Sequence, residues 1–296
     1  MSSIDKKEQT YDEWKSLKIT NDFIFSKFMS NPERCKEVLE ILLPFKVGKI
    51  EYINSQESIQ ERLDTRGVRL DVYVKDSDKI YNIEMQVGSY GNLPKRSRYY
   101  GSAIDVDNFK KGKDYNRLKE TFIIFICTSD PFDKDLPCYS FENICKEDKD
   151  LSLKDGKYTL FFNAEAYSKE ENKDRRDFLA FITGDEVANA SMQSFSNEIE
   201  KIKDSEQWRN EYMNLFAIRL DEAEARGIQL GEARGIQLGE ARGIQLGEAR
   251  GIQLGKVEGL LEAAKNFLDI LDDKTIALKT KLPLKEIQKL RQASLT

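Results

Sequence analysis

The chain has 296 residues, of which 33% are charged, and a formal net charge of −5. It contains no histidine, which excludes Ser-His-Asp and Cys-His triads, histidine zinc sites and any site that depends on a histidine base. Chemistry based on carboxylates and a metal survives this exclusion. The four cysteines show no CxxC spacing and no apolar run approaches 18 residues. We therefore expect a soluble, cytoplasmic protein with reduced thiols.

The chain begins with a polar segment, residues 1–18, and continues into a helical pattern. Asn21 and its neighbours offer an N-terminal cap, and apolar residues at helical spacing follow as far as Leu43. This pattern predicts one or two amphipathic helices that end by Pro44.

Two runs with alternating apolar residues, 68–74 and 80–87, flank a segment whose Asp-Ser-Asp core favours a turn. Their period of two predicts a β-hairpin. If Ser77 and Asp78 form a two-residue loop, Asp71 stands opposite Glu84 on one face of the hairpin. On that same face Arg69 stands opposite Gln86. The other face, which we expect to be core, then carries the pairs Val68/Val87, Leu70/Met85, Val72/Ile83 and Val74/Tyr81.

Directly opposed carboxylates lie roughly 5 Å apart in a sheet, where like charges destabilise the pairing. Either a raised pKa on one partner or a bound divalent cation would offset this repulsion. Mg²⁺ or Mn²⁺ on Asp71 and Glu84 could activate a water, with Gln86 hydrogen-bonded to that water or to a phosphate. The alternative is a hairpin whose polar face meets solvent, with Arg69 and Lys75 screening the acids. Spacing alone favours neither interpretation.

A basic stretch follows the hairpin. Eight Lys and Arg residues stand against four acids between Gly91 and Glu120. A helix over about residues 94–110 would offer Lys95, Arg96 and Arg98 to phosphates, and Tyr99 or Tyr100 would stack on a base or pack inward. The alternative is a solvated helix face that is basic without contacting a phosphate.

Further along, residues 121–127 are apolar throughout, which predicts a central strand, and residues 158–163 predict another. The elements up to this point predict a mixed α/β sheet flanked by helices. From about residue 174 the pattern is helical, and Trp208, Tyr212, Leu215, Phe216 and Leu220 recur at helical spacing, which predicts a core face.

Residues 227–255 repeat Gly-Ile-Gln-Leu-Gly-Glu-Ala-Arg three times and begin a fourth copy. The glycine at every fourth position forms a stripe that advances by about 40° per glycine around a helix. Such a stripe permits close approach of a second helix, so we predict a homodimer through this segment. The alternatives are a weakly helical spacer and a short-strand solenoid.

The sequence thus divides into five parts: a polar segment 1–18, an α/β domain 19–190, a helical connector 191–226, the repeat segment 227–255 and a small helical region 256–296.

The order of these motifs resembles the PD-(D/E)xK nuclease superfamily, and within it the Rpn family of recombination-promoting nucleases and transposases. The resemblance rests on Asp71 followed by Glu84-Met85-Gln86, on the helical segment 21–28 and on the basic, tyrosine-rich segment 95–100. It implies a restriction-endonuclease-like α/β core with a helical, repeat-containing extension. It also implies a metal site at Asp71 and Glu84, with Gln86 as the water-orienting residue. A helix glutamate completes the site in some relatives, so Glu37 or Glu40 is either that third acid or a surface residue.

One residue departs from the superfamily pattern, because Gln86 stands where most members carry lysine. A neutral amide orients a water but supplies no positive charge to the transition state. The resemblance still implies a Mg²⁺-dependent DNA endonuclease, with Mn²⁺ as the other candidate ion, that acts in recombination, mobile DNA or defence. Its DNA contacts would come from Lys95, Arg96, Arg98 and Tyr100.

The rival interpretation is a nuclease-like module that binds DNA or protein without cutting and oligomerises through its repeat helix. The last residues, 275–291, resemble the helix-turn-helix-like finish of the same family and are basic, so they either contact DNA or form a small closing domain. A separate C-terminal fragment that competes for the dimer contact is a regulatory alternative.

Overall fold

The structure, a computed structural model, describes residues 11–59, 68–89 and 91–294, without the side chains of residues 55–57 and 68. The first ten residues of the predicted polar segment 1–18 lie outside the described residues. Residues 11–16 are helical, and Trp14 is fully buried, with its indole N–H donated to the carbonyl of Lys203. The described part of this segment therefore packs on the core through Trp14, while most of its other residues are exposed.

The described residues contain a six-stranded mixed sheet with the order β1-β2-β3-β4-β6-β5. Its strands are β1 (Tyr52–Ile59), β2 (Val68–Lys75), β3 (Lys79–Gln86), β4 (Glu120–Cys127), β5 (Cys138–Phe141) and β6 (Lys157–Asn163). β4 runs parallel to both of its neighbours, whereas the β1–β2, β2–β3 and β5–β6 pairs are antiparallel. The helices of the same domain are α1 (residues 11–16), α2 (Asp22–Met29), α3 (Pro32–Leu42), α4 (Leu93–Asn108), α5 (Lys173–Thr183) and α6 (Ala190–Asp204). The predicted mixed α/β fold is confirmed.

The N-terminal helical pattern forms two helices because an Asn-Pro pair interrupts it. Asn21 caps α2, as predicted, because its side chain accepts from the backbone N–H groups of Phe23 and Ile24. Asn31 then caps α3 in the same way, and Pro32 follows at its first position, where the missing N–H costs no intrahelical bond. α3 ends at Leu42, in agreement with the predicted stop before Pro44.

Both faces of the sheet are covered. The larger hydrophobic cluster joins Val72, Val74 and Ile83 to helices α2, α3, α5 and α6. The smaller cluster joins Phe125 and other residues of the opposite face to Leu93 and Ile104 of α4. The interpretation of a hairpin whose polar face meets solvent is therefore wrong, since Glu84 on the α4 side is only 2% exposed.

The predicted hairpin register is confirmed. The observed partners Val72/Ile83, Tyr73/Asn82, Val74/Tyr81 and Lys75/Ile80 follow the predicted pairing, and the Asp76 N–H donates to the Lys79 carbonyl across a loop of Ser77 and Asp78. Leu70 is a correction, because it joins the smaller cluster and not the one that contains Val72. Val87 is exposed, and the side chain of Val68 lies outside the described residues.

Of the remaining four strands, the sequence predicted two and did not predict the other two. The apolar run at 121–127 is the buried interior strand β4, and the run at 158–163 lies in β6, both as predicted. β1 and β5 were missed. The sequence of β1 is largely polar, and β5 has only four residues, so neither carries a clear alternating pattern.

The chain divides into two compact units, one that ends at Leu215 and one that begins at Phe216. Within the first unit, α6 packs on the core through Met192, Phe195 and Ile199, so the start of the predicted connector 191–226 is part of the α/β domain. Trp208, Tyr212 and Leu215 pack on the same cluster, whereas Phe216 and Leu220 are exposed.

The second unit contains most of the long helix α7 (Glu206–Phe267), followed by α8 (Asp273–Thr280) and α9 (Leu284–Ser294). The repeat segment is α-helical throughout, so the short-strand solenoid is wrong. Ala264, Leu268, Ile276 and Ile287 form a small core, and Arg291 donates to the carbonyls of Leu268 and Leu271. None of the helices in the described part of the chain is both long and apolar enough to cross a membrane.

Candidate active site

Asp71 on β2 and Glu84 on β3 are called the carboxylate pair below. Their side chains accept the hydrogen bonds that backbone carbonyls would accept in a regular antiparallel pair. The Asp71 N–H donates to Oε1 of Glu84 over 3.1 Å, and the Met85 N–H donates to Oδ2 of Asp71 over 3.2 Å. Each carboxylate thus accepts a hydrogen bond from the other strand, beyond the last regular partners Val72 and Ile83. This exchange fixes one oxygen of each side chain, and it leaves the strands without a regular pair at the site.

Arg96 reaches the carboxylate pair from α4. Its Nη2 lies 3.2 Å from Oε2 of Glu84, and its Nη1 donates to Oε1 of Gln86 over 2.7 Å. The Nε and Nη2 groups also donate to the Tyr100 hydroxyl, and the guanidinium lies 5.7 Å from the centre of the Phe125 ring. A planar guanidinium with several donors can bridge these acceptors at once. Arg96 is therefore an internal cation of the site.

Asn82 is a second partner of Glu84 that the sequence reasoning missed. It is fully buried, and its Nδ2 donates to Oε1 of Glu84 over 3.1 Å. Its Oδ1 has no hydrogen-bond partner within the described residues. Because Asn82 precedes Glu84 by two residues on one strand, the period-two pattern would have placed it on the same face.

The two carboxylates therefore differ in which oxygens are engaged. Oε1 of Glu84 accepts from the Asp71 N–H and from Asn82, and Oδ2 of Asp71 accepts from the Met85 N–H. Oε2 of Glu84 contacts Arg96, while Oδ1 of Asp71 has no hydrogen-bond donor among the residues described. The oxygens that neither a backbone N–H nor Asn82 engages are Oδ1 of Asp71 and Oε2 of Glu84, so these two are the candidate metal ligands.

Burial and nearby negative charge perturb both acids. Burial, and then the negative charge of Asp71, raise the pKa of Glu84 to about 8, although hydrogen bonds and the charge of Arg96 oppose this shift. Burial also raises the pKa of Asp71, with the Met85 N–H opposing it and the charge of Asp22 adding to it. The carboxylate pair therefore holds a proton at a pH where an ordinary carboxylate has already released it.

The acid that acts on Asp71 from a helix is Asp22, at the start of α2, and not Glu37 or Glu40 of α3. The structure gives those glutamates other partners: Glu37 pairs with Arg34, and Glu40 pairs with lysines and accepts from the Val47 N–H. No sequence signal identified Asp22, because only the packing of α2 against the sheet brings its charge to β2.

The predicted nucleic-acid contacts divide into an outer and an inner set. Lys95, Arg98 and Tyr99 are exposed on α4. Arg96 and Tyr100 face inward, and the Tyr100 ring stacks near Phe125 with 6.4 Å between ring centres. Tyr99 is therefore the more exposed of the two tyrosines, and Tyr100 supports Arg96.

The carboxylate pair suits a divalent cation that keeps most of its water ligands. No cluster of three or more acids or cysteines in the described ranges is arranged to hold a metal ion. Mg²⁺ is commonly held by only one or two carboxylates, and it prefers hard oxygen ligands. Two carboxylates in a buried, acidic setting match that requirement, and a cation would offset the negative charge of Asp71 that helps to raise the pKa of Glu84.

Comparison with known proteins agrees with this geometry. The family model described as PD-(D/E)XK nuclease family transposase matches residues 19–224. The chain therefore belongs to the PD-(D/E)XK nuclease transposase family, which supports a nuclease-like function. The searches of curated proteins and of solved structures gave no match. The match ends before the repeat segment, so the repeats and the helices α8 and α9 lie outside the part that defines the family.

Proposed function

We propose that the protein is a Mg²⁺-dependent DNA endonuclease that hydrolyses phosphodiester bonds, with Mn²⁺ as an alternative ion. Asp71 and Glu84 are the proposed metal ligands. The observation that carries the proposal is their arrangement: two repelling carboxylates on paired strands, each fixed through one oxygen that accepts a backbone N–H of the other strand. Membership of a nuclease family that uses divalent metals supports it.

The residues of the site have separate proposed roles. When bound, the cation would lower the pKa of a coordinated water and neutralise charge on the phosphate. Asn82 and the crossed backbone hydrogen bonds hold Glu84 in one orientation. Gln86 is proposed to orient the attacking water, and its amide is itself positioned by Arg96 and by the Val87 carbonyl, which accepts from its Nε2.

DNA is the proposed substrate, held on the outer face of α4 by Lys95 and Arg98, with Tyr99 stacking on a base. Because Arg96 and Tyr100 face inward, they would contact only the part of the DNA that enters the site. Because the net charge of the whole chain is −5, binding depends on this local basic surface. The family description, transposase, favours a role in recombination or mobile DNA over one in defence.

The test is nicking of supercoiled plasmid by the full chain, with Mg²⁺, Mn²⁺ or EDTA. We expect Asp71→Asn to lose at least about 100-fold in rate, because it keeps the side-chain shape and removes a charged ligand. Asp107→Asn is the matched control, since this exposed aspartate of α4 makes the same chemical change away from the carboxylate pair. Equal metal-dependent cutting by wild type and Asp71→Asn would remove Asp71 from the mechanism. Metal-independent DNA binding without cutting would favour the non-cutting module.

We further propose a homodimer through the repeat segment 227–255. Its eight Ile and Leu residues are each at least 56% exposed. Apart from the nearby backbone of the helix itself, no atom lies within 4 Å of a Cβ built on any of its glycines. Exposed apolar residues of this number mark an interaction surface. Each repeat carries one Glu and one Arg, so a second copy meets no net charge, and its apolar residues recur at the same spacing of about 12 Å.

Glycines four apart form a groove along the helix, into which a second helix can set a ridge of side chains at a crossing angle of about −50°. Light scattering of the full chain tests this contact. We expect a dimer for wild type and a monomer for Ile236→Lys with Ile244→Lys. The control is Gln237→Lys with Gln245→Lys, which adds the same charges about 100° further around the helix. A monomeric wild type, or an equal response of both double variants, would contradict the proposal.

A further inference from the structure

Arg96 contacts the oxygen of Glu84 that is the candidate ligand of a divalent cation. Its Nη2 lies 3.2 Å from Oε2 of Glu84, the oxygen of Glu84 that neither the backbone nor Asn82 engages. Its side chain is 31% exposed, whereas that of Glu84 is 2% exposed, so the ion pair is largely shielded from solvent. A guanidinium and a divalent cation at the same oxygen repel each other, so the contact of Arg96 with Oε2 weakens the binding of a cation there.

Among the residues that the structure describes, Arg96 is the charged hydrogen-bond partner of Glu84. Gln86 is neutral, and the partners of Glu84 other than Arg96 are a backbone N–H and the amide of Asn82. Arg96 is tethered to Gln86 Oε1 over 2.7 Å and to the Tyr100 hydroxyl, and these bonds do not involve Glu84. It can therefore release Glu84 and still lie beside the site.

We propose that Arg96 is the resident cation of the site: it competes with the divalent cation for Oε2 of Glu84, and after release it supplies positive charge to the scissile phosphate. This inference rests on the proposed function. It gives Arg96 two properties that a purely structural residue lacks. Its removal strengthens cation binding, and at saturating cation its removal slows cutting.

Cation affinity is measured by calorimetry with Ca²⁺ or Mg²⁺ alone, on the full chain without DNA. The titration is run at about pH 9, where a proton competes least for Glu84. We expect Arg96→Gln to bind the cation about 10-fold more tightly, because one charge-assisted hydrogen bond no longer has to be broken. Arg98→Gln removes the same charge from the exposed face of α4, and its cation affinity should stay within about 2-fold of wild type. Unchanged or weaker binding by Arg96→Gln would overturn the competition.

Cutting of plasmid at saturating Mg²⁺ tests the second property. We expect Arg96→Gln to cut about 100-fold more slowly than wild type, the usual effect of losing one donor to a developing negative charge. Arg96→Lys keeps the charge and should recover part of that loss. A rate for Arg96→Gln equal to wild type would overturn the proposed charge supply.

Failure of the inference and failure of the proposed function are distinguishable. If wild type does not cut at all, the endonuclease proposal fails, yet the order of cation affinities still supports or refutes the competition. Thermal unfolding of each variant identifies any that do not fold, and Arg96→Met, which also removes the ion pair with Glu84, then replaces Arg96→Gln in both measurements.

Discussion

Glu84 makes the stability of the metal-free protein depend on pH in a predictable direction. Because its pKa is raised from the ordinary 4.5 to about 8, the folded state holds a proton that the unfolded state has already released between these values. The free energy of unfolding therefore falls as pH rises through this window. At about 1.4 kcal/mol per pH unit, the contribution of Glu84 has an upper bound of about 5 kcal/mol.

Glu84→Gln removes this ionisation while keeping the size of the side chain. Thermal unfolding between about pH 5 and pH 9, without metal, should show wild type losing on the order of 10 °C relative to the variant. Mg²⁺ at about pH 8 should restore wild type, by an amount that grows with its concentration, and should leave Glu84→Gln almost unchanged. The control is Glu171→Gln, an exposed glutamate of the same domain.

Parallel pH profiles for wild type and Glu84→Gln would refute the reasoning, because they would show that burial and Asp71 do not hold a proton on Glu84. A difference of the opposite sign, with wild type gaining stability as pH rises, would refute it equally.

Two further predictions concern the turn and the repeat segment. Asp76 accepts hydrogen bonds from the Asp78, Lys79 and Gly48 N–H groups and from the Tyr81 hydroxyl, so Asp76→Ala should cost about 2 to 4 kcal/mol in urea unfolding at neutral pH. Burial opposes the ionisation of Asp76, but these hydrogen bonds lower its pKa. The stability that Asp76 contributes should therefore be lost as pH falls below about 4. If the destabilisation by Asp76→Ala did not shrink there, the assignment would be contradicted. Gly235→Ala with Gly243→Ala should raise helicity by circular dichroism, at about 1 kcal/mol per site, because the space beside each glycine is open. The same methyl groups should weaken the dimer in light scattering if the glycines permit close approach, and an unchanged dimer would exclude that use of them.

The hairpin shows which features the local sequence pattern predicted correctly and which it did not. Alternation and an Asp-Ser-Asp turn were enough to predict the register, which four observed backbone pairs confirm. The same pattern failed for Leu70, because the carboxylates replace the regular pair beside it and the alternation of faces is no longer enforced. It also failed for β1, whose polar sequence has strand structure only because it pairs with β2.

The candidate site divides in the same way. Period two placed Asp71, Glu84 and Gln86 on one face, and it would have placed Asn82 there as well. Helical periodicity assigned Arg96 to a basic helix, yet its partners Glu84 and Gln86 are 12 and 10 residues away along the chain, and only the docking of α4 on the sheet brings them together.

The sequence by itself determined the elements whose signals are local: the hairpin and its register, the capped helices α2 and α3, the apolar strand β4 and the tandem repeat. Backbone hydrogen bonds and side-chain periodicity act over a few residues, so these features need no knowledge of the whole fold. Tertiary structure alone decided that α4 buries the carboxylate face, that Arg96 turns inward to Glu84, and that Asp22 acts on Asp71. Burial and electrostatic coupling depend on which elements pack together, and the chain's local pattern does not contain that information.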